Sequence, residues 1–145
     1  MKFVLLLILG AFTMSFTGWE TNFSVAKQEA HQKHKYILLN FSGSDWCGPC
    51  IRLHKEIFQD SSFVGFADSS LVLVNADFPR QKKNQLAKNV QHENDLLADR
   101  YNMKGVFPLT LLLDENGKVL KSWDGLPKEK PAEVTMLSWL FIFQS

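Results

Sequence analysis

Tyr36-Ile37-Leu38-Leu39-Asn40-Phe41-Ser42-Gly43-Ser44-Asp45-Trp46-Cys47-Gly48-Pro49-Cys50 is the stretch that decides how the rest of the chain is read. Residues 36–41 are apolar apart from one position, and Ser42-Gly43-Ser44 stops the run. A short run without alternation suits a central strand covered on both faces. After Cys50, residues Ile51, Leu53, His54, Ile57 and Phe58 recur at helical spacing. The cysteine pair therefore stands where a buried strand gives way to a helix. The start of a helix has unpaired N–H groups and the positive end of the dipole, so a sulfur there is favoured as its anion. Cys47 is thus the expected nucleophile. Cys50, one turn on and expected to be more buried, is placed to attack a mixed disulfide on Cys47. Gly48 permits the tight turn, and Pro49 suits a first helical turn, where its missing N–H costs nothing.

Composition narrows the alternatives. A chain of 145 residues, 46% hydrophobic and 21% charged, suits one globular domain and is too apolar for disorder. Its two cysteines exclude a disulfide-rich scaffold and a four-cysteine zinc site. Lys and Arg number 16 against 15 Asp and Glu, so no basic excess points to nucleic acid and no acidic excess to a solvating tail. Two other readings of the pair stay open. It is half of a zinc site if His54 and a further ligand join it, or it is an inert disulfide, although so short a loop constrains the unfolded chain little.

The N-terminus reads as an address. Lys2 is followed by the apolar stretch Phe3 to Met14, and no further charge comes before Glu20. That pattern matches a secretory signal over residues 1–17, with Ser15 and Thr17 at the small-residue positions before cleavage. An uncleaved membrane anchor and a buried first helix are the alternatives; residues 3–19 are at the short end of a bilayer span. Export makes oxidation the default state of the cysteines.

Residues 19–145 read as one domain without repeats or linkers. Asn22 caps a helix to about His34, with Phe23, Ala26 and Ala30 on its apolar face. A short helical piece includes Phe63, Phe66 and Ala67, and Leu71 to Ala76 is a second buried strand ended by Asp77-Phe78-Pro79. Residues 82–101 have helical spacing, with a polar middle, Gln91 to Asn94, able to hide a break. Gly105-Val106-Phe107-Pro108 is a loop, Leu109 to Asp114 a third strand, and Asn116-Gly117 a hairpin signal leading to an edge strand, Val119 to Trp123. Pro131 suits the first turn of a last helix. The order α-β-α-β-α-β-β-α predicts parallel crossovers between the early strands and an antiparallel final hairpin. Met136 to Phe143 is apolar nearly all round, which reads either as a deeply packed helix end or as a patch for self-association.

Trp46-Cys47-Gly48-Pro49-Cys50 behind a buried strand, with Gly105-Val106-Phe107-Pro108 ahead of the next strand and hairpin, resembles the thioredoxin superfamily over residues 19–145. Phe41-Ser42-Gly43-Ser44-Asp45-Trp46-Cys47 is similar to its exported bacterial branch. The resemblance implies an α/β fold, a thioredoxin-like three-layer α/β/α sandwich with a mixed central sheet. It also implies a periplasmic thiol–disulfide oxidoreductase with no metal and no cofactor beyond the Cys47–Cys50 disulfide. Cys47 would attack and Cys50 resolve. Trp46, Gly48, Pro49, Phe107 and Pro108 would form the substrate-binding surface, with Pro108 cis and facing the disulfide and the Phe107 backbone pairing with an extended substrate. Expected partners are protein or small-molecule disulfides and a membrane thiol electron donor. Gly-Pro between the cysteines suggests a reducing bias; the alternatives are an oxidase or isomerase, and a binding module using the pair as a metal or partner ligand. Two positions depart from the family pattern. Phe107 is larger than usual. Asn40 stands where thioredoxins often carry a buried Asp, and an amide cannot take up a proton at neutral pH. Asn40 and Asp45 are therefore the candidates for tuning the cysteines.

Overall fold

In the computed structural model, which describes residues 18–126, the apolar run becomes strand β1 (Tyr36–Ser42), with every residue after Tyr36 buried. Side chains alternate across a strand, so β1 feeds two cores. Ile37, Leu39 and Phe41 join one; Leu38 joins the other. The first core lies beneath helices α1 (Phe23–Lys33) and α4 (Lys88–Tyr101), through Phe23, Ala26, Ala30 and Leu97. The second lies beneath α2 (Gly48–Leu53) and α3 (Ser61–Ser70), through Leu53, Phe63 and Ala67. The result is a three-layer α/β/α sandwich, and it explains why residues 37–39 of β1 are apolar on both faces. Full burial of a side chain such as Phe41 contributes about 1.5–3 kcal/mol.

The sheet has the order β2-β1-β3-β4, with β2 at Leu71–Asp77, β3 at Leu109–Leu113 and β4 at Val119–Asp124. β1 and β2 are parallel, as the helical crossover requires. β3 runs antiparallel to β1 although a helix precedes it, so the parallel rule ends at β2. The register supplies the reason. β2 finishes with Asp77 beside Ser42, and β3 starts with Leu109 beside Phe41. The chain thus re-enters the sheet at the end where it left, and that end also carries the cysteines. The β3–β4 hairpin is antiparallel as expected, with a register shift at Leu112/Leu113. Its turn is built on Asp114, whose carboxylate accepts the N–H groups of Asn116 and Lys118, while Gly117 takes the left-handed conformation at φ 86°.

Three boundaries differ from the sequence reading. α4 begins at Lys88, after a single 3₁₀ turn at Lys82–Asn84, and its polar middle is unbroken helix. Asn94 is polar because it is an anchor: it is buried and its amide donates to the Asp77 carbonyl at 2.9 Å. α2 widens after Leu53 into a turn at His54–Phe58, with the Gln59 N–H reaching the His54 carbonyl. Glu20 pairs with β2, its N–H and C=O meeting Leu73 and Asn75, and so covers that sheet edge. The secretory signal, the helix from Pro131 and the apolar segment 136–143 lie outside the described residues.

Candidate active site

Cys47 caps α2, and its Sγ accepts the Cys50 N–H at 3.3 Å, so one donor is already aimed at the sulfur that would carry charge. Cys47 and Cys50 are joined as a disulfide with Cα atoms 5.2 Å apart. Their burial is nearly equal, at 5% and 4% exposed, so the expected contrast between an open Cys47 and a covered Cys50 does not hold in this oxidised form. Gly48 and Pro49 are exposed between them.

In front of the pair is an aromatic shelf. The Trp46 indole N–H donates to the Phe78 carbonyl at 2.7 Å, and its ring meets Phe107 edge-on at 5.4 Å; Phe78 packs on Phe107 in turn. A Cβ at Gly43 would collide with the Trp46 indole, which accounts for a glycine there. The Arg80 guanidinium lies 3.7 Å above the Trp46 ring. Trp46, Phe78, Arg80, Gly105 and Phe107 line one open groove. The Phe107–Pro108 bond is cis, and Pro108 is buried at the start of β3. The sequence marks Phe78 and Pro79 only as the end of a strand, and Arg80 not at all. They belong to the site because β2 ends beside β1.

Asp45 holds this shelf together. Its carboxylate accepts the backbone N–H groups of Arg80 and Gln81, each at 2.9 Å, and the Asn84 amide at 3.0 Å. These donors, the Arg80 N–H first, hold its pKa below the ordinary carboxylate value. Asp45 is a clamp between the cysteine loop and the loop after β2. All these carboxylate bonds run to the loop after β2 and none to Cys50.

Behind the pair the surface is polar. Asn40 is buried, donating to Asn75 Oδ1 at 3.0 Å and accepting from the Thr110 hydroxyl at 3.1 Å. Asp77 accepts from the Ser42 hydroxyl and from the Ser44 N–H and hydroxyl. The register pairs Asn40 with Asn75 and Ser42 with Asp77. Polar residues at alternate positions of two apolar strands were the available signal for this network. A cleft of about 230 Å³ opens behind the disulfide, with Asn40, Ser42, Asn75, Cys50, His54 and Lys55 in its walls. The Cys-Cys-His metal set is not assembled: among the described residues no group of three His, Cys, Asp or Glu side chains is placed to hold a metal ion. Among the same residues no helix is long and apolar enough to cross a membrane.

Known proteins share this fold. A family described as a thioredoxin-like domain matches residues 23–135. Over 102 residues the chain is 38% identical to the disulfide bond reductase DsbH of Chlamydia pneumoniae, covering 70% of this chain and 59% of that protein. The chain thus spans less than two thirds of the length of this relative, and 29% of the thioredoxin-related protein DsbJ of Chlamydia pneumoniae, to which it is 23% identical. The solved structure of a DsbH oxidoreductase superposes with a TM-score of 0.77 at 31% identity, covering 88% of this chain and 85% of that one. A poplar thioredoxin h shares the fold at a TM-score of 0.55 and 19% identity, covering 88% and 96%. With the cysteine pair at the end of β1, the cis proline at the start of β3 and a family match over most of its length, the chain belongs to the thioredoxin-like family.

Proposed function

We propose that this protein is an exported thiol–disulfide oxidoreductase working in the reducing direction on protein disulfides. The observation that carries it is a disulfide-bonded Cys47–Cys50 pair at a helix start, beside an open aromatic groove and a cis proline. The reduced Cys47 thiolate attacks a substrate disulfide, forming a mixed disulfide and releasing one substrate thiolate. Cys50 then attacks the Cys47 sulfur, the second substrate sulfur leaves, and the pair ends oxidised. The pair itself carries both electrons, so no further cofactor is needed. The groove of Trp46 and Phe107 receives the substrate segment beside the cis Phe107–Pro108 bond, with Gly48 and Pro49 on the exposed rim. The reducing direction is supported by the Gly-Pro spacer and by likeness to a protein named a disulfide bond reductase.

In an oxidising compartment such a reductase needs an outside source of electrons, and a membrane thiol carrier is the proposed donor. The N-terminal segment directs export, and a membrane-anchored form follows if it is not cleaved. The apolar segment 136–143 is the proposed surface for self-association. The assay is reduction of insulin disulfides by the full chain with a thiol donor. Turnover is expected, and Cys47→Ser removes it. Turnover in Cys47→Ser equal to wild type would sink the mechanism.

A further inference from the structure

The resolving step needs Cys50 as a thiolate, and the usual buried carboxylate is absent at Asn40. Each nearby carboxylate is already committed. Asp45 is held by the loop after β2 and Asp77 by Ser42 and Ser44. Glu56 is paired with Arg52 at 2.9 Å. The Asn40 amide is itself bonded on both its ends, to Asn75 and Thr110.

His54 is in a different position. It follows Cys50 by four residues, and its backbone N–H bonds the Cys50 carbonyl, so the two side chains share one helix face. Both are in the wall of the same cleft. The imidazole is exposed, with the Trp19 and Phe58 rings 6.4 and 6.5 Å away, and among the described residues no hydrogen bond or ion pair commits it. Of the other groups facing the cleft, Lys55 alone is charged; Asn40, Ser42, Ser44, Asn75 and Gln59 are neutral. Imidazole is the side chain suited to taking up and releasing protons near neutrality.

We propose that His54 is the proton acceptor for Cys50 during resolution, acting through the cleft. This deepens the oxidoreductase reading and rests on it. The Cys50 S–H proton moves to the imidazole as the Cys50 sulfur bonds to the Cys47 sulfur. The bond from Cys47 to the substrate sulfur breaks, the substrate leaves as a thiolate with that electron pair, and the imidazolium returns its proton to solvent. The dithiol of the protein is oxidised and the substrate disulfide reduced, with no other reactant.

The test is single-turnover reaction of the reduced full chain with a synthetic peptide containing one disulfide. Acid quenching and mass spectrometry follow formation and decay of the Cys47 mixed disulfide between pH 5 and 9. In wild type, decay should rise with pH. His54→Gln should slow decay about tenfold or more at pH 7 and change how decay depends on pH. Its rate of mixed-disulfide formation should stay within about twofold, because Cys47 has its own donor from the Cys50 N–H. His54→Glu should recover most of the rate at pH 7 and hold it nearly level down to pH 5, above the carboxylate range. Decay in His54→Gln at the wild-type rate across the pH range overturns the assignment, as does a His54→Glu protein that stays as slow as His54→Gln. If wild type forms no mixed disulfide at all, the oxidoreductase reading fails and this one with it; if the disulfide forms and decays without regard to His54, only this one fails.

Discussion

The two sides of the cysteine pair are built from opposite materials. The front is aromatic and open: Trp46, Phe78 and Phe107 pack edge to face beneath the Arg80 guanidinium. The rear is hydroxyl and amide: Thr110, Asn40, Asn75 and Ser42 form one chain of hydrogen bonds. Both come from the same end of the same sheet, and strand alternation separates them. Phe41 points to one core while Asn40 and Ser42 face the helix that carries Cys50. The difference divides the labour. Aromatic surface is suited to holding a partner, and a polar cleft is suited to moving a proton or admitting water.

Substitutions on either side should therefore fail in different ways. The largest effect separates the cysteines themselves. Cys50→Ser retains the attacking sulfur and loses the resolving one, so it should accumulate mixed disulfides with substrate and lose essentially all turnover. Non-reducing gels or intact mass would show them, and a Cys50→Ser protein that releases product at the wild-type rate would break the assignment of roles.

Next in size is the front. Trp46→Ala removes a hydrogen bond, an aromatic pair and a cation–π stack. It should raise KM for a peptide disulfide about tenfold, from roughly 1–2 kcal/mol of lost contact. The decay rate of an existing mixed disulfide should barely change. A loss in decay with KM unchanged would reverse the proposed division.

The rear is probed by Asn40→Asp, which restores a carboxylate behind Cys50. Burial raises the pKa of such an acid, so its charged form is disfavoured in the fold. The variant should lose roughly 1–3 kcal/mol of stability at pH 7, with the deficit shrinking below about pH 4, where unfolded Asp is protonated as well. Mixed-disulfide decay should become less dependent on His54. Denaturant melts at pH 7 and pH 4 read the first effect, and the double variant with His54→Gln reads the second.

Asp45 carries the smallest effect. Its folded pKa lies below the ordinary value because the Arg80 and Gln81 N–H groups favour the carboxylate. The stabilisation is full above the unfolded carboxylate range and fades as pH falls through the folded value. Asp45→Ala should flatten the acid limb of the stability profile and loosen the Arg80 loop. An unchanged limb would mean that the clamp contributes nothing to folding.

Most of this architecture was legible before any coordinates. Strong local signals did the work: the unbroken run 36–41, the helix start at the cysteines, and the Asn-Gly turn. Pairings between distant residues were not legible. The antiparallel entry of β3 depends on which sheet end the chain returns to, and no local pattern encodes that. The polar stretch Gln91 to Asn94 could hide a helix break because the partner of Asn94, the Asp77 carbonyl, belongs to another element. Asp45 looked like an acid beside the cysteines, and its role appeared only once Arg80 and Gln81 came alongside. Asn40 is the opposite case: its departure from the family pattern was visible in one letter, and the hydrogen bonds to Asn75 and Thr110 that hold it were not.

The central claim is that the Cys47–Cys50 pair works as a reductant, and its redox potential tests that most directly. The full chain is equilibrated in glutathione buffers of graded ratio, and the fraction of oxidised pair is read by thiol alkylation and mass. A reductant should show a potential on the reducing side, nearer to the roughly −270 mV of thioredoxins than to the isomerase value. A potential at or above about −180 mV would contradict it and turn the same site into that of an isomerase or oxidase.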